Sequence, residues 1–343
     1  MTSQLASPLP ESLTNPGHGH PPVSAWHHYP SLEYDPHAFA QATIAQTRQW
    51  EWDWVKINPR GVLFSELYGA RYDPADYLGA DVPRLIDTPY QRLEQLADLS
   101  SPTHPEVISE QEAVVRELRA GLPETPLYFT IFSPLTTVLQ TVGLPITPSP
   151  VWGRGASFGI EDFWHTAPEL IHGALQAALQ TLIELSTRLI SAGADGIFYA
   201  LTGTANPLIT PDKHTFDTYS TEYDRQLLES IGGRAILHTC TDTAHPEWFL
   251  DWPIQALNWD SFGRENPSLR DIAEHPSAPI VVGGVQRELF DGRHTAQIAA
   301  QVARTREELG SRPFLLTPSC ALPPRFLNDT DLRAFAQAGR SNS

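Results

Sequence analysis

Eight short apolar runs alternate with helix-like stretches along this 343-residue chain, and that alternation restricts the fold more than any other feature. The runs lie at residues 23–26, 54–58, 127–132, 196–200, 234–239, 254–259, 279–282 and 314–316. They are too short for helices, and their near-continuous apolar character is that of strands buried on both faces. Asp35 and Pro36 open a helix that runs to about Trp50, with proline in the first turn. Further helices are expected at 87–98, 108–121, 168–192, 213–231, 245–251, 267–274, 294–309 and 329–338. In the stretch 168–192, Ile171, Leu175, Ala178, Leu182, Leu185 and Leu189 recur at steps of three and four and form one apolar face, which Gly193 ends. Parallel strands need helical crossovers, so the pattern predicts an α/β fold, a (β/α)8 TIM barrel. No glycine-rich phosphate fingerprint follows any run, which argues against a dinucleotide-binding sheet.

Residues 1–21 hold Ser, Pro, Gly, Asn and His with little periodicity. They are expected to form a disordered leader, with His18 and His20 as solvated tail histidines, ahead of a single barrel domain over 22–343. A loop rich in Pro and Gly, 142–160, is expected to cover one end of the barrel. The net charge of −17 argues against a nucleic-acid partner. No signal peptide and no run of 18 apolar residues stands out, so the expectation is a cytoplasmic protein without a membrane partner. The two cysteines are then reduced thiols rather than a disulfide.

Active sites of such barrels sit at the C-terminal ends of the strands. Ile236-Leu237-His238-Thr239-Cys240 is an apolar strand ending in two metal-ligand types, and alternation puts His238 and Cys240 on one face. The second cysteine, Cys320, ends the last run. One imidazole and two thiolates make a three-ligand zinc set with an open fourth position, which is a catalytic arrangement. A thiol on that position is deprotonated, which suits alkyl transfer to sulfur. The plainer reading is two small buried cysteines and a satisfied core histidine; the strand-end positions favour the metal. Asp260 is a candidate to orient a ligand histidine or act as a base, or to cap the next helix. Arg60 would bind an anionic group or form a structural ion pair. His27 and His28 follow the first run, and one of them would face the mouth. Tyr199 offers a catalytic hydroxyl or a core aromatic. Gly283 and Gly284 would admit close approach of a ligand, or form a plain turn.

The stretches Trp54-Val55-Lys56-Ile57-Asn58-Pro59-Arg60, Gly193-Ala194-Asp195-Gly196-Ile197, Leu257-Asn258-Trp259-Asp260 and Val282-Gly283-Gly284 give the chain a resemblance to the uroporphyrinogen decarboxylase (URO-D) superfamily over about residues 22–325. That resemblance implies a (β/α)8 barrel. One branch of the superfamily decarboxylates uroporphyrinogen without a cofactor. Another comprises zinc-dependent methyltransferases that move a methyl group from a corrinoid to a thiol such as coenzyme M. The methyltransferase branch is marked by a His-x-Cys…Cys motif, which His238, Cys240 and Cys320 match. The decarboxylase branch is marked by an arginine-rich stretch after the first strand, where this chain has Trp26-His27-His28-Tyr29-Pro30. That branch also has Phe-Ser-Asp after the second strand, where this chain has Asn58-Pro59-Arg60. The resemblance therefore implies a methyltransferase with Zn2+, a methylcobamide (cobalamin-type) methyl donor on a corrinoid protein, and a small-molecule thiol acceptor. It implies orienting roles for Asp260, Tyr199 and Arg60, and pairing into homodimers. The alternatives are a uroporphyrinogen decarboxylase-type carboxy-lyase and a non-catalytic corrinoid-binding barrel.

Overall fold

Apolar runs buried on both faces can pair only edge to edge with helices outside, and the computed structural model has that arrangement. It describes residues 6–14, 19–78, 82–148 and 156–341. Strand β1 is Val55–Ile57. The antiparallel pair β2 (Arg71–Leu78) and β3 (Val82–Asp87) follows. Then come β4 (Leu127–Phe132), β5 (Gly196–Thr202), β6 (Ala235–Thr239), β7 (Ala256–Asn258), β8 (Ile280–Val285) and β9 (Phe314–Pro318). One parallel sheet runs β1-β4-β5-β6-β7-β8-β9.

The eighth stave is the first apolar run. It is extended and bridges β9 at Val23–Leu316, with Leu316 N–H donating to Pro22 O at 2.8 Å and Ser24 N–H to Leu316 O at 3.1 Å. On its other side Ser24 Oγ donates to Trp54 O at 2.7 Å, and Asp53 N–H donates to Val23 O at 2.9 Å. This segment thus joins β9 to the β1 edge and completes the TIM-barrel-like ring. All eight expected staves are present, with ends shifted by up to three residues.

Most helices form where the signals placed them, but the expected helix 87–98 is only a 3-10 turn, Leu93–Asp98, with Asp87 closing β3, and the expected helix 245–251 is only a 3-10 turn, Pro246–Phe249. Asp35 caps Pro36–Trp50, its carboxylate accepting from Ala38 N–H at 3.0 Å. The long helix Pro168–Ala192 ends at Gly193, whose φ of 122° suits glycine. The expected helix 213–231 is interrupted by a π-turn at Asp217–Thr221 between Lys213–Phe216 and Glu222–Ser230. The β2–β3 hairpin was not expected. Arg71, Asp73, Asp76, Arg84 and Asp87 give it charges on exposed strands, so no apolar alternation marks it.

Two apolar clusters result. The larger lies between sheet and helices. The smaller fills the barrel's N-terminal end and contains Trp26, Trp54, Tyr128, Phe198, Ile236, Ala256, Val282 and Leu315. Leu9 and Leu13 belong to it too. Residues 6–14 are therefore not the disordered leader expected for 1–21. They plug the barrel floor, with the helical turn Glu11–Thr14 setting Leu13 in place. Ser7 N–H donates to Gly232 O at 3.0 Å, and Gln255 Nε2 donates to Ser7 O and Pro8 O at 2.9 and 2.8 Å. A spacing of four between Leu9 and Leu13 was the only sequence trace of this. His20 is described; His18 and residues 1–5 and 15–17 lie outside the described residues. Leu13→Ala is expected to lower unfolding free energy by about 2–5 kcal/mol, measured by urea denaturation, since it opens a cavity under the barrel.

Candidate metal centre and its cavity

Alternation along the strands sorts side chains into an interior and an outer layer. On β5, Phe198 and Ala200 face inward and Tyr199 outward; on β6, Ile236 and His238 face inward and Leu237 outward. The inward residues above the floor line a cavity of about 840 Å³ at the C-terminal end, within the usual range for ligand pockets.

His238, Cys240 and Cys320 meet on its wall, their ligand atoms all within 4.8 Å of one another. Cys240 Sγ and Cys320 Sγ are 4.0 Å apart, and Cys320 Sγ is 3.8 Å from His238 Nε2. Tetrahedral zinc with Zn–S of about 2.3 Å and Zn–N of about 2.05 Å would require about 3.8 and about 3.6 Å for those edges. The set therefore fits zinc with small side-chain adjustments. The two thiols are unequal. The Cys240–Cys320 hydrogen bond holds Cys320 well below the ordinary thiol range and Cys240 well above it; His238 also favours the Cys320 thiolate.

The histidine tautomer follows from its neighbours. Asn258 Nδ2 donates to Val282 O at 2.8 Å, which turns Asn258 Oδ1 toward His238 Nδ1 at 2.6 Å. His238 therefore carries its proton on Nδ1 and presents a bare Nε2 to the sulfurs, the state a metal ligand needs. Asn258 was not singled out from the sequence. Its signal was there: it is the register partner of His238 and ends β7 as the one polar residue of Ala-Leu-Asn.

Backbone conformation also fixes Cys240. Its N–H donates to Thr202 O at 2.7 Å, and the flanking Thr202 and Thr241 have φ of 52° and 89°, which β-branched residues rarely adopt.

Asp260 lines the cavity; Phe262 N–H donates to Oδ1 at 3.1 Å, and burial lifts the carboxyl above its usual range. His28 also lines it, held by Glu33 Oε1 at 2.8 Å from Nδ1. The other candidates are elsewhere or otherwise engaged. His27 lies behind the wall, with Nδ1 2.7 Å from His28 O and its ring against Tyr29, and burial pulls its pKa down. Arg60 reaches the cavity edge, but its guanidinium donates to Glu66 Oε2 at 2.5 Å and Glu110 Oε1 at 2.6 Å, so it is a structural ion pair and not an anion receptor. Gly283 and Gly284 have φ of 152° and 121° and face the helices rather than the cavity. A Cβ on Gly284 would meet Thr305 Cγ2 at 2.8 Å, so helix packing explains it.

Tyr199 is not at the mouth. It points into the outer layer, fully buried, and donates to Asp224 Oδ1 at 2.5 Å; Ser220 Oγ donates to Oδ2 at 2.5 Å. Its outward register excludes a catalytic role. Burial pushes the Asp224 carboxyl up to about 7 from 3.8. The fold then binds a proton that the unfolded chain releases, so stability should fall as pH rises from about 4 to about 7. Asp224→Asn is expected to flatten that fall in denaturation midpoints measured across the range.

Strand β1 and the residue after it contribute two further residues missed from the sequence. Lys56 and Asn58 face the cavity, Lys56 between the rings of Trp26 and Phe198. Alternation from the buried Trp54 placed both on the inner face. Thr147 and Pro148 of the expected covering loop also line the cavity; residues 149–155 of that loop lie outside the described residues.

A methyltransferase from Methanosarcina mazei has a similar structure, with a TM-score of 0.73 at 17% identity over 98% of this chain and 92% of that one. A B12-independent methionine synthase from Shewanella sp. W3-18-1, in complex with selenomethionine, gives 0.54 at 11% identity over 99% and 95%. At these identities the likeness is one of fold. No curated protein matches the sequence. The sequence model of the uroporphyrinogen decarboxylase (URO-D) family matches residues 23–340, and the chain belongs to that family.

Proposed function

We propose that this chain is a zinc-dependent methyltransferase that moves a methyl group from a methylcobamide to a small thiol. The observation that carries this reading is the convergence of His238 Nε2, Cys240 Sγ and Cys320 Sγ on the wall of an open cavity. Bound there, zinc supplies a Lewis acid that holds a thiol as its thiolate near neutral pH. The chain's own residues do the rest. Asn258 keeps the His238 lone pair aimed at the site. Trp26, Phe64, Phe132 and Phe198 give the cavity apolar surface against which the reactants can pack. His28 and Asp260 stand on the wall as polar contacts for the reactants.

Uroporphyrinogen decarboxylation fits less well. Arg60 is committed to Glu66 and Glu110, and the cavity's Lys56, Arg264 and Arg287 are offset by Asp242, Asp260, Glu265 and Glu288, so no excess of positive charge meets a polycarboxylate. The test is loss of methylcobalamin, followed by its absorbance, on mixing zinc-loaded protein with a panel of small thiols, with the methylated thiol identified by mass spectrometry. Thiol-dependent methyl transfer is expected. Turnover of uroporphyrinogen by metal-free protein, with no methyl transfer, would overturn the reading.

A further inference from the structure

Lys56 and Lys213 are the only lysines in a chain whose other basic side chains are arginines. Lys213 pairs with Asp217 on the surface, whereas Lys56 is buried in the cavity. Its Nζ lies 5.2 Å from the Trp26 ring centroid and 4.7 Å from that of Phe198, a slot that suits a compact ammonium better than a broad guanidinium. Among the described residues it makes no ion pair. Its hydrogen-bond partner is Asn58 Oδ1. Burial pulls the amine down from its usual 10.5 to about 7.

Asn58 adds an independent sign. An ammonium has only donors, so the amide must turn its oxygen to Lys56 and its Nδ2 away. That Nδ2 is buried and has no hydrogen-bond partner, in a residue only 6% exposed that lines the cavity. A buried amine donor left unpaired is destabilising unless a ligand supplies an acceptor. Lys56 on β1 and Asn58 just after it thus offer an ammonium and an amide N–H to the cavity from one face, and Lys56 is buried with no carboxylate partner among the described residues.

We propose that Lys56 and Asn58 bind the carboxylate of the acceptor, which makes the acceptor a mercapto carboxylic acid. The proposal rests on the thiol reading above. A carboxylate matches two donors with its two oxygens; a sulfonate would leave a third oxygen against the aromatic faces of Trp26 and Phe198.

The experiment uses the full chain loaded with Co2+ in place of zinc, and reads thiolate ligation by the cobalt charge-transfer spectrum. The probes are 3-mercaptopropionate, 2-mercaptoethanol and 2-mercaptoethanesulfonate. The carboxylate thiol is expected to bind about 10-fold or more tightly than the neutral one, and more tightly than the sulfonate. In Lys56→Met the ratio of acid to neutral thiol should fall to about one, and in Asn58→Ala it should fall partway. The Asn58 variant keeps the test available if Lys56→Met does not fold. Equal affinities for acid and neutral thiols, a preference that survives in both variants, or tighter binding of the sulfonate would each overturn the proposal and leave the thiol reading standing. No spectral response to any thiol would overturn both.

Discussion

Cys320→Ser is expected to lower the affinity of the proposed zinc site by more than about 100-fold while the barrel stays folded. Loss of a hydrogen-bonding partner behind a ligand costs metal sites about 10–100-fold, and loss of a ligand itself costs more. Serine keeps the volume but not the soft, ionised sulfur that zinc prefers. Cys320 follows β9, half-buried, and among the described residues its side chain partners Cys240 and His238. Asn258→Ala is the graded companion. It leaves all three ligands and frees the His238 ring, so zinc affinity should fall by about 10–100-fold and no further. Competition with a chromophoric chelator measures both. A Cys320 variant that retains native affinity would mean that the three atoms lie close for reasons of packing alone.

Arg60→Met, in contrast, is expected to lower stability by about 3 kcal/mol and to leave the proposed zinc site able to load. The guanidinium is 4% exposed and holds Glu66, Glu110 and Glu33 O together, across Tyr34. Removing it strands carboxylates that are one-eighth to one-quarter exposed, at Glu66 and Glu110. Breaking such a pair costs about 3–5 kcal/mol when both charges are fully buried, and the partial exposure of Glu110 sets the lower end. Chemical denaturation beside chelator competition separates the two effects. A substrate-binding arginine would give the reverse pattern, with stability intact and substrate affinity lost.

These contrasts mark what a sequence of this kind carries. Burial on both faces writes itself as continuous apolar runs, so all eight staves were legible, including 23–26, which pairs through only a few bonds. Strand-end position then selected His238, Cys240 and Cys320 correctly as neighbours, though 80 residues separate the cysteines. Which face a strand residue takes was the harder matter. Tyr199 ends its run as His238 does, but it is one position out of phase and belongs to Asp224. Lys56 and Asn258 were in phase and passed over, because a single polar residue inside an apolar run reads as an interruption. Arg60 was placed correctly along the chain, but its partners Glu33, Glu66 and Glu110 come from three separate segments, a pairing that no local pattern announces. The plug Ser7–Leu13 is a case of tertiary context overriding composition: two leucines suffice when a barrel floor of Trp26, Trp54 and Tyr128 awaits them.

The central claim is a three-ligand zinc site, and metal content tests it most directly. Elemental analysis of tag-free protein purified under reducing conditions should give about one zinc per chain, falling to near zero in Cys320→Ser. Wild-type protein that carries no zinc, and takes up none when reduced and supplied with it, would contradict the account.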